Sequence, residues 1–247
     1  MIPVYVINLD RSDDRMNLIG ARLSQLGVPF VRLPAIDGAS LSPDLMIEHG
    51  VDTSTKAMGR LLLAGEVGCF LSHRLAAETF LESGAPLGLV LEDDAFPPDD
   101  MPAILAGLST LEDQPGDWDV ANLGRPPKRF QSPYPAVADL VPGLVRAHYF
   151  PITTTALLWR REGARRFLTA SSTFAEPVDR FLQNWCIASN RGLAMQPPAF
   201  RTIDAPSVIE QPESPGRRYR TSRNGLRRVL QLLGNHARAY LNWRRAV

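Results

Sequence analysis

The chain has 247 residues, 45% of them hydrophobic, which suffices for one sizeable core and fits one large domain or one domain with a small appendage. Its apolar runs, 87–91 and 156–159 among them, fall far short of the roughly 20 residues that a membrane-spanning helix needs, and residues 1–6 enter a strand pattern without the marks of a secretory signal, so a cytoplasmic protein is expected. The net charge of +1 hides an asymmetry, with 18 basic against 26 acidic residues up to Glu213 and nine arginines beyond it, and so acidic a body excludes a general nucleic-acid groove.

In chain order, residues 4–9 read as a buried strand. Asp10 and Ser12 offer capping oxygens for a helix through Met16, Leu18, Ile19, Leu23 and Leu26, which Gly27 stops. A second strand over 28–33 completes a βαβ unit with parallel pairing, whose ligand site is expected at the carboxyl ends of its strands. Residues 38–64 have weak periodicity and predict a long irregular excursion. A helix over 65–82 then leads through Gly84 and Pro86 into a buried strand over 87–91 that ends on Glu92, Asp93 and Asp94. Strands are expected over 117–123, 145–149 and 154–159, and helices over 162–170 and 178–189. Alternation of this kind predicts an α/β sandwich with a mainly parallel central sheet. Cys69 and Cys186 stand far apart in apolar settings, as reduced buried thiols do, and predict neither a disulfide nor a metal site.

The carboxylates after the apolar run carry the chemistry. Adjacent like charges at a sheet edge repel, and a divalent cation would relieve that cost with their hard oxygens as ligands. Such a cation could hold a diphosphate and stabilise a departing nucleotide. An isolated EDD is more often a solvated turn, so the neighbouring blocks decide.

Those blocks are INLDRSDDR at 7–15, GEVGCFLSH at 65–73, LEDD at 91–94, DWDVANLG at 117–124 and EPVDRFL at 176–182. Together and in this order they resemble the bacterial lipooligosaccharide glycosyltransferases of family 25 and their collagen galactosyltransferase relatives, over roughly residues 2–215. The resemblance implies a GT-A type, Rossmann-like nucleotide-sugar-binding domain over 1–215. It also implies a UDP-sugar donor, often UDP-galactose, a manganese ion (or magnesium), a glycan or lipid-linked oligosaccharide acceptor, and inversion at the anomeric carbon. The family pattern usually has a Gly-x-x-x-Tyr type stretch where this chain has Thr153 to Leu158.

On this basis Asp93 and Asp94 are the expected metal ligands. Asn8, Arg11, Arg15, Ser72, His73, Glu92, Asn122 and Gln211 are the expected donor-side contacts. Asn8 ends the first strand, where an amide could read a base or ribose, and Arg11 and Arg15 could hold phosphate; the bland alternative is a helix cap flanked by solvated arginines. Ser72 and His73 share a helix with Glu66, and a lone histidine is more often structural than a base. Inverting transfer needs a base for the acceptor hydroxyl, for which Asp179 at a helix start is the candidate, with Glu176 as its alternative.

Two other readings stand beside the transferase. One is a catalytically degenerate nucleotide-sugar binder. The other is a metal-dependent nucleotidyltransferase, against which the absence of a Gly-rich phosphate loop after the first strand speaks. Finally, in the tail over 216–247, Leu226, Val229, Leu230, Leu233, Ala237, Tyr240 and Leu241 recur at helical spacing opposite Arg227, Arg228, Arg238 and Arg245. This predicts an amphipathic helix, either packed on the domain by its apolar stripe or laid on an anionic membrane surface, which would make the protein peripheral on the inner face of the cytoplasmic membrane.

Overall fold

The computed structural model describes residues 1–49, 53–58, 60–114, 116–134, 141–203 and 222–247. β1 (Val4–Asn8) is buried along its whole length. α1 (Asp13–Gln25) begins with Asp13 and Asp14, whose charges suit the positive end of the helix dipole, and buries Ile19 and Leu23. Its end explains why the second strand starts later than expected. Gly27 takes φ +65°, and the Val28 amide donates back to the Leu23 carbonyl, so Val28 belongs to the helix cap. β2 (Val31–Pro34) then pairs parallel to β1.

The excursion over 38–64 is more ordered than its weak periodicity predicts. It holds a 3-10 turn at Gly38–Ser40, α2 (Pro43–Glu48) and α3 (Ser54–Met58), each shorter than two turns of helix and so too short to show a period. α4 (Ala64–Glu82) follows, with the Glu66 carboxylate accepting from the Leu63 amide at its start (2.8 Å). Next come β3 (Leu87–Glu92), β4 (Ala95–Phe96), α5 (Met101–Ser109), β5 (Val120–Asn122), β6 (Gln131–Pro133) and β7 (Leu144–Ala147). The chain continues with β8 (Ala156–Arg160), α6 (Arg161–Ala170), α7 (Val178–Ser189), β9 (Gly192–Met195), β10 (Arg201–Thr202) and α8 (Ser222–Ala246).

The main sheet has the order β2-β1-β3-β8-β5-β9-β7-β6. β8 and β7 run against the other six strands, so the sheet is mainly parallel, as expected. α1 and α5 cover one face through Ile19, Leu23, Met101 and Leu108, while α4, α6 and α7 cover the other through Phe70, Phe80, Phe167 and Leu182. This is the α/β sandwich that the alternation predicts. It brings the carboxyl ends of β1, β3 and β5, with the start of β8, to one edge where Asn8, Glu92 and Asn122 emerge.

α8 docks on α7 and β6 by a face that shares Tyr240, packed on Phe130, with the apolar stripe but not its aliphatic residues. Asn235 Nδ2 donates to Asn184 Oδ1 (2.7 Å), Asn242 Nδ2 donates to the Ile187 carbonyl (3.1 Å), and Ala239 between them is fully buried. Val229, Leu230, Leu233 and Leu241 of the stripe stay 50–61% exposed, and Arg238, Arg244 and Arg245 are exposed as well. Val229, Leu230, Leu233 and Leu241 of the stripe therefore stay off the domain. Among the described residues no helix is long and apolar enough to cross a membrane. The domain boundary expected at 215 lies outside the described residues.

Candidate functional site

A cavity of about 220 Å³ opens at the strand ends, between the segment after β1, the segment after β2, the first turns of α4 and the acids after β3. Its wall depends on two glycines. A Cβ on Gly38 would lie 1.7 Å from the Ala64 carbonyl oxygen, and one on Gly68 would lie 2.4 Å from the Ile36 carbonyl oxygen, so backbone packs directly on backbone there. Ser72 fixes the same contact, donating to the Gly68 carbonyl (2.7 Å) and accepting from the Ile36 amide (2.8 Å). Both polar functions of Ser72 are thus engaged in the wall.

Asn8 is 1% exposed and fully committed. Its Nδ2 donates to Asp93 Oδ2 (2.8 Å) and to the Ser12 carbonyl (3.0 Å), and its Oδ1 accepts from Arg32 Nε (3.0 Å). Arg15 reaches the other Asp93 oxygen at 3.2 Å. Asp93 is therefore oriented from two sides by the INLDRSDDR segment, which explains why that segment and the acids belong to one pattern. Arg11, more exposed, pairs with Asp37 at the cavity rim.

Asp94 has the opposite surroundings. Its Oδ1 is buried without a hydrogen-bond partner among the described residues. Burial first, then the charges of Glu92 and Asp93, push its carboxyl up to about 7, and Arg15 offsets this in part. An orphaned, charge-crowded carboxylate oxygen beside a second carboxylate is a hard donor set, and it fits a divalent cation.

Glu92 is held differently again. Burial works against its charge, but His73 (3.1 Å), the Thr154 hydroxyl (2.7 Å) and the Cys69 thiol (3.9 Å) all bond to Oε1 and keep the carboxyl below its ordinary value. Cys69, His73 and Glu92 offer ligand atoms within 4.8 Å of one another. Burial and the neighbouring acids push the Cys69 thiol well up, so it serves Glu92 as a neutral donor rather than as a thiolate ligand. The acidic pair after β3 suits a hard cation better.

The two candidate bases stand at the start of α7. The carboxyls of Asp179 and Glu176 are both raised, in each case by burial first. Glu176 is clamped, since both its oxygens accept from Asn184 Nδ2 (2.9 and 2.8 Å). Asp179 accepts from the Arg180 amide (2.6 Å), and the charges of Glu92 and Glu66 add to its shift, which places it in electrostatic reach of the carboxylate cluster.

Asn122 emerges at the same edge but faces its own backbone, donating to the Thr153 carbonyl (2.9 Å) and accepting from the Gly124 and Arg125 amides (3.1 and 2.9 Å). It shapes the segments after β5 and before β8 instead of lining the cavity. Gln211 lies outside the described residues. Sequence reasoning missed Arg32, Asp37 and the role of Thr154. Thr154 stood in the 153–158 stretch that departs from the family pattern, and strand pairing across from Glu92 is what gives its hydroxyl a task.

Residues 1–119 match the sequence model of a family described as glycosyltransferase family 25 (LPS biosynthesis protein). Over 185 residues the chain is 33% identical to the human "Inactive glycosyltransferase 25 family member 3", an alignment that takes in 72% of this chain and 31% of that protein. Over 190 residues it is 31% identical to "Procollagen galactosyltransferase 1-A" of Xenopus laevis, covering 72% of this chain and 30% of that one. The chain thus spans about a third of the length of these curated relatives. A solved structure of a glycosyltransferase involved in glycosylation of the major capsid of PBCV-1 covers 94% of this chain and 98% of its own at 11% identity, with a TM-score of 0.43.

Proposed function

From the glycosyltransferase family 25 domain over residues 1–119, we propose that the chain transfers a hexose, galactose from UDP-galactose, onto a glycan acceptor of lipooligosaccharide or a related surface glycan. The observation that carries the reading is the Asp94 oxygen, unpartnered among the described residues, beside the oriented Asp93 at the carboxyl end of β3. Asp93 and Asp94 would hold a manganese or magnesium ion, which when bound neutralises the diphosphate and eases departure of UDP. Arg11 and Arg15 border the cavity and add positive charge for the donor phosphates. Asn8, itself held by Arg32, and Arg15 hold Asp93 in place, and His73, Thr154 and Cys69 do so for Glu92.

Asp179 takes the acceptor hydroxyl proton as that oxygen attacks the anomeric carbon and the bond to UDP breaks on the opposite face. Its raised carboxyl is the stronger base for it. Glu176, held through both oxygens by Asn184, is the alternative base.

A second reading, donor binding without turnover, draws support from relatives whose names call them inactive. Incubation with labelled UDP-galactose, manganese and surface-glycan acceptors separates the two. Release of UDP that depends on acceptor supports transfer, and binding of UDP-galactose without any release supports the degenerate reading. The exposed stripe of α8 with its flanking arginines also favours attachment to an anionic membrane surface, where a lipid-linked acceptor would lie.

A further inference from the structure

A second cavity, of about 390 Å³, lies on the α7 side of the sheet and is unlike the first in charge. Its walls are the segment after β5, the segment after β7, the outer side of α7 and the docked side of α8. Four cations line it, Arg125, Lys128, Arg129 and Arg180, and among the described residues no carboxylate does. Among the described residues none of the four forms an ion pair. The chain up to Glu213 is acidic in sum, 18 basic against 26 acidic residues with these four included, so this gathering of positive charge is local. Like charges brought together around one concavity repel, and an anion entering it relieves that cost.

The walls are built rather than incidental. Gln183 Nε2 donates to the Phe150 carbonyl (2.7 Å) and pins the segment after β7 onto α7. Tyr149 and His236 pack with ring centroids 4.7 Å apart, giving the cavity an aromatic flank of the kind on which sugar rings rest. The cavity also adjoins the candidate bases. Arg180 follows Asp179 in sequence and lowers the carboxyls of both Asp179 and Glu176 against the effect of burial, and Asn184, which lines the cavity, holds Glu176.

We propose that this basin is the acceptor subsite and takes a saccharide bearing anionic oxygens, as phosphate or carboxylate, with its reactive hydroxyl directed to Asp179. The proposal rests on the transferase reading. An aromatic edge with four cations recognises an acidic sugar better than a neutral one, because the neutral sugar leaves the cations unrelieved.

The test is calorimetric binding of glucose 6-phosphate, glucuronate and glucose to the full chain, with UDP and manganese titrated in parallel. Glucose 6-phosphate, glucuronate or both should bind while glucose does not, and the binding should weaken as salt rises. Binding of the phosphorylated sugar alone assigns the basin to phosphate, and of both to either anion. Lys128→Gln with Arg129→Gln should weaken acidic-sugar binding on the order of tenfold and leave UDP binding as it was. Equal binding of glucose, or no acidic-sugar binding by a chain that still binds UDP, overturns the basin and leaves the transferase reading standing. Loss of UDP binding in the double variant makes the basin a donor-phosphate site and also overturns the proposal. A chain that binds neither UDP nor acidic sugar refutes both readings.

Discussion

Replacing Asp94 by asparagine should move stability and activity in opposite directions. In the metal-free protein Asp94 carries a charge that its surroundings resist, its carboxyl standing at about 7 instead of 3.8. The folded state therefore favours the protonated form. The cost of ionising Asp94 is absent below about pH 4, grows between pH 4 and 7, and is complete above about pH 7. A gap of that size corresponds to about 4 kcal/mol, and solvent screening of a partly exposed group brings it to roughly 2. Asp94→Asn should accordingly raise the melting temperature in chelator at pH 8 by about 4–8 °C for a chain of this length, and leave it unchanged at pH 4. It should also abolish UDP release and the stabilisation that manganese confers on the wild type at pH 8. Thermal melts with and without manganese at the two pH values, beside a UDP-release assay, read all of this. Loss of stability at pH 8 in chelator, or full manganese stabilisation of the variant, would refute the idea that Asp94 is an uncompensated carboxylate awaiting a cation.

Asp179→Asn should keep UDP affinity while turnover falls by roughly 10²–10⁴, the usual contribution of a general base, and an unchanged rate would pass that role to another carboxylate. Gly68→Ala should destabilise the chain by about 2–4 kcal/mol, since its Cβ would meet the Ile36 carbonyl at 2.4 Å and neither backbone can retreat; a urea midpoint equal to that of the wild type would disprove the close contact. Leu230→Gln, Leu233→Gln and Leu241→Gln together should reduce co-sedimentation with anionic liposomes without changing the melting temperature, because all three are exposed on the docked helix; equal sedimentation would remove the membrane reading.

Much of the fold was legible because long buried elements announce their period. α7 falls on the expected 178–189, and α4 differs from the expected helix by one residue at its start. Short elements gave less signal. β6, β9 and β10, of two to four residues, and the nearly all-apolar α5 carry too few alternations to declare a period. The site divided along the same line. The acids after β3 could be placed because a strand end has a direction, whereas the partners of Asn8 could not, since Arg32 meets it only through the pairing of β1 with β2. The tail shows a different failure. Its docking face combines Asn235, Ala239 and Asn242 with the rings of His236, Tyr240 and Trp243, and hydropathy gives amides no weight as a packing surface.

The reversal of β8 between β3 and β5 makes the candidate site sensitive to phase. β3 leaves the sheet where β8 enters it, so acids delivered by an outgoing strand meet hydroxyls delivered by an incoming one, with Leu91 opposite Ala156. In this alignment Thr154 turns its hydroxyl to Glu92 and Thr155 turns its own to Thr202 (3.3 Å). Because extended residues alternate sides, sliding β8 by one position would exchange these two threonines and point the wrong hydroxyl at the acids. One residue gained or lost between Thr153 and Leu158 has nowhere to be absorbed. The stretch that differs from the pattern of the family the sequence resembles is thus also the one whose length the sheet holds to a count of single residues.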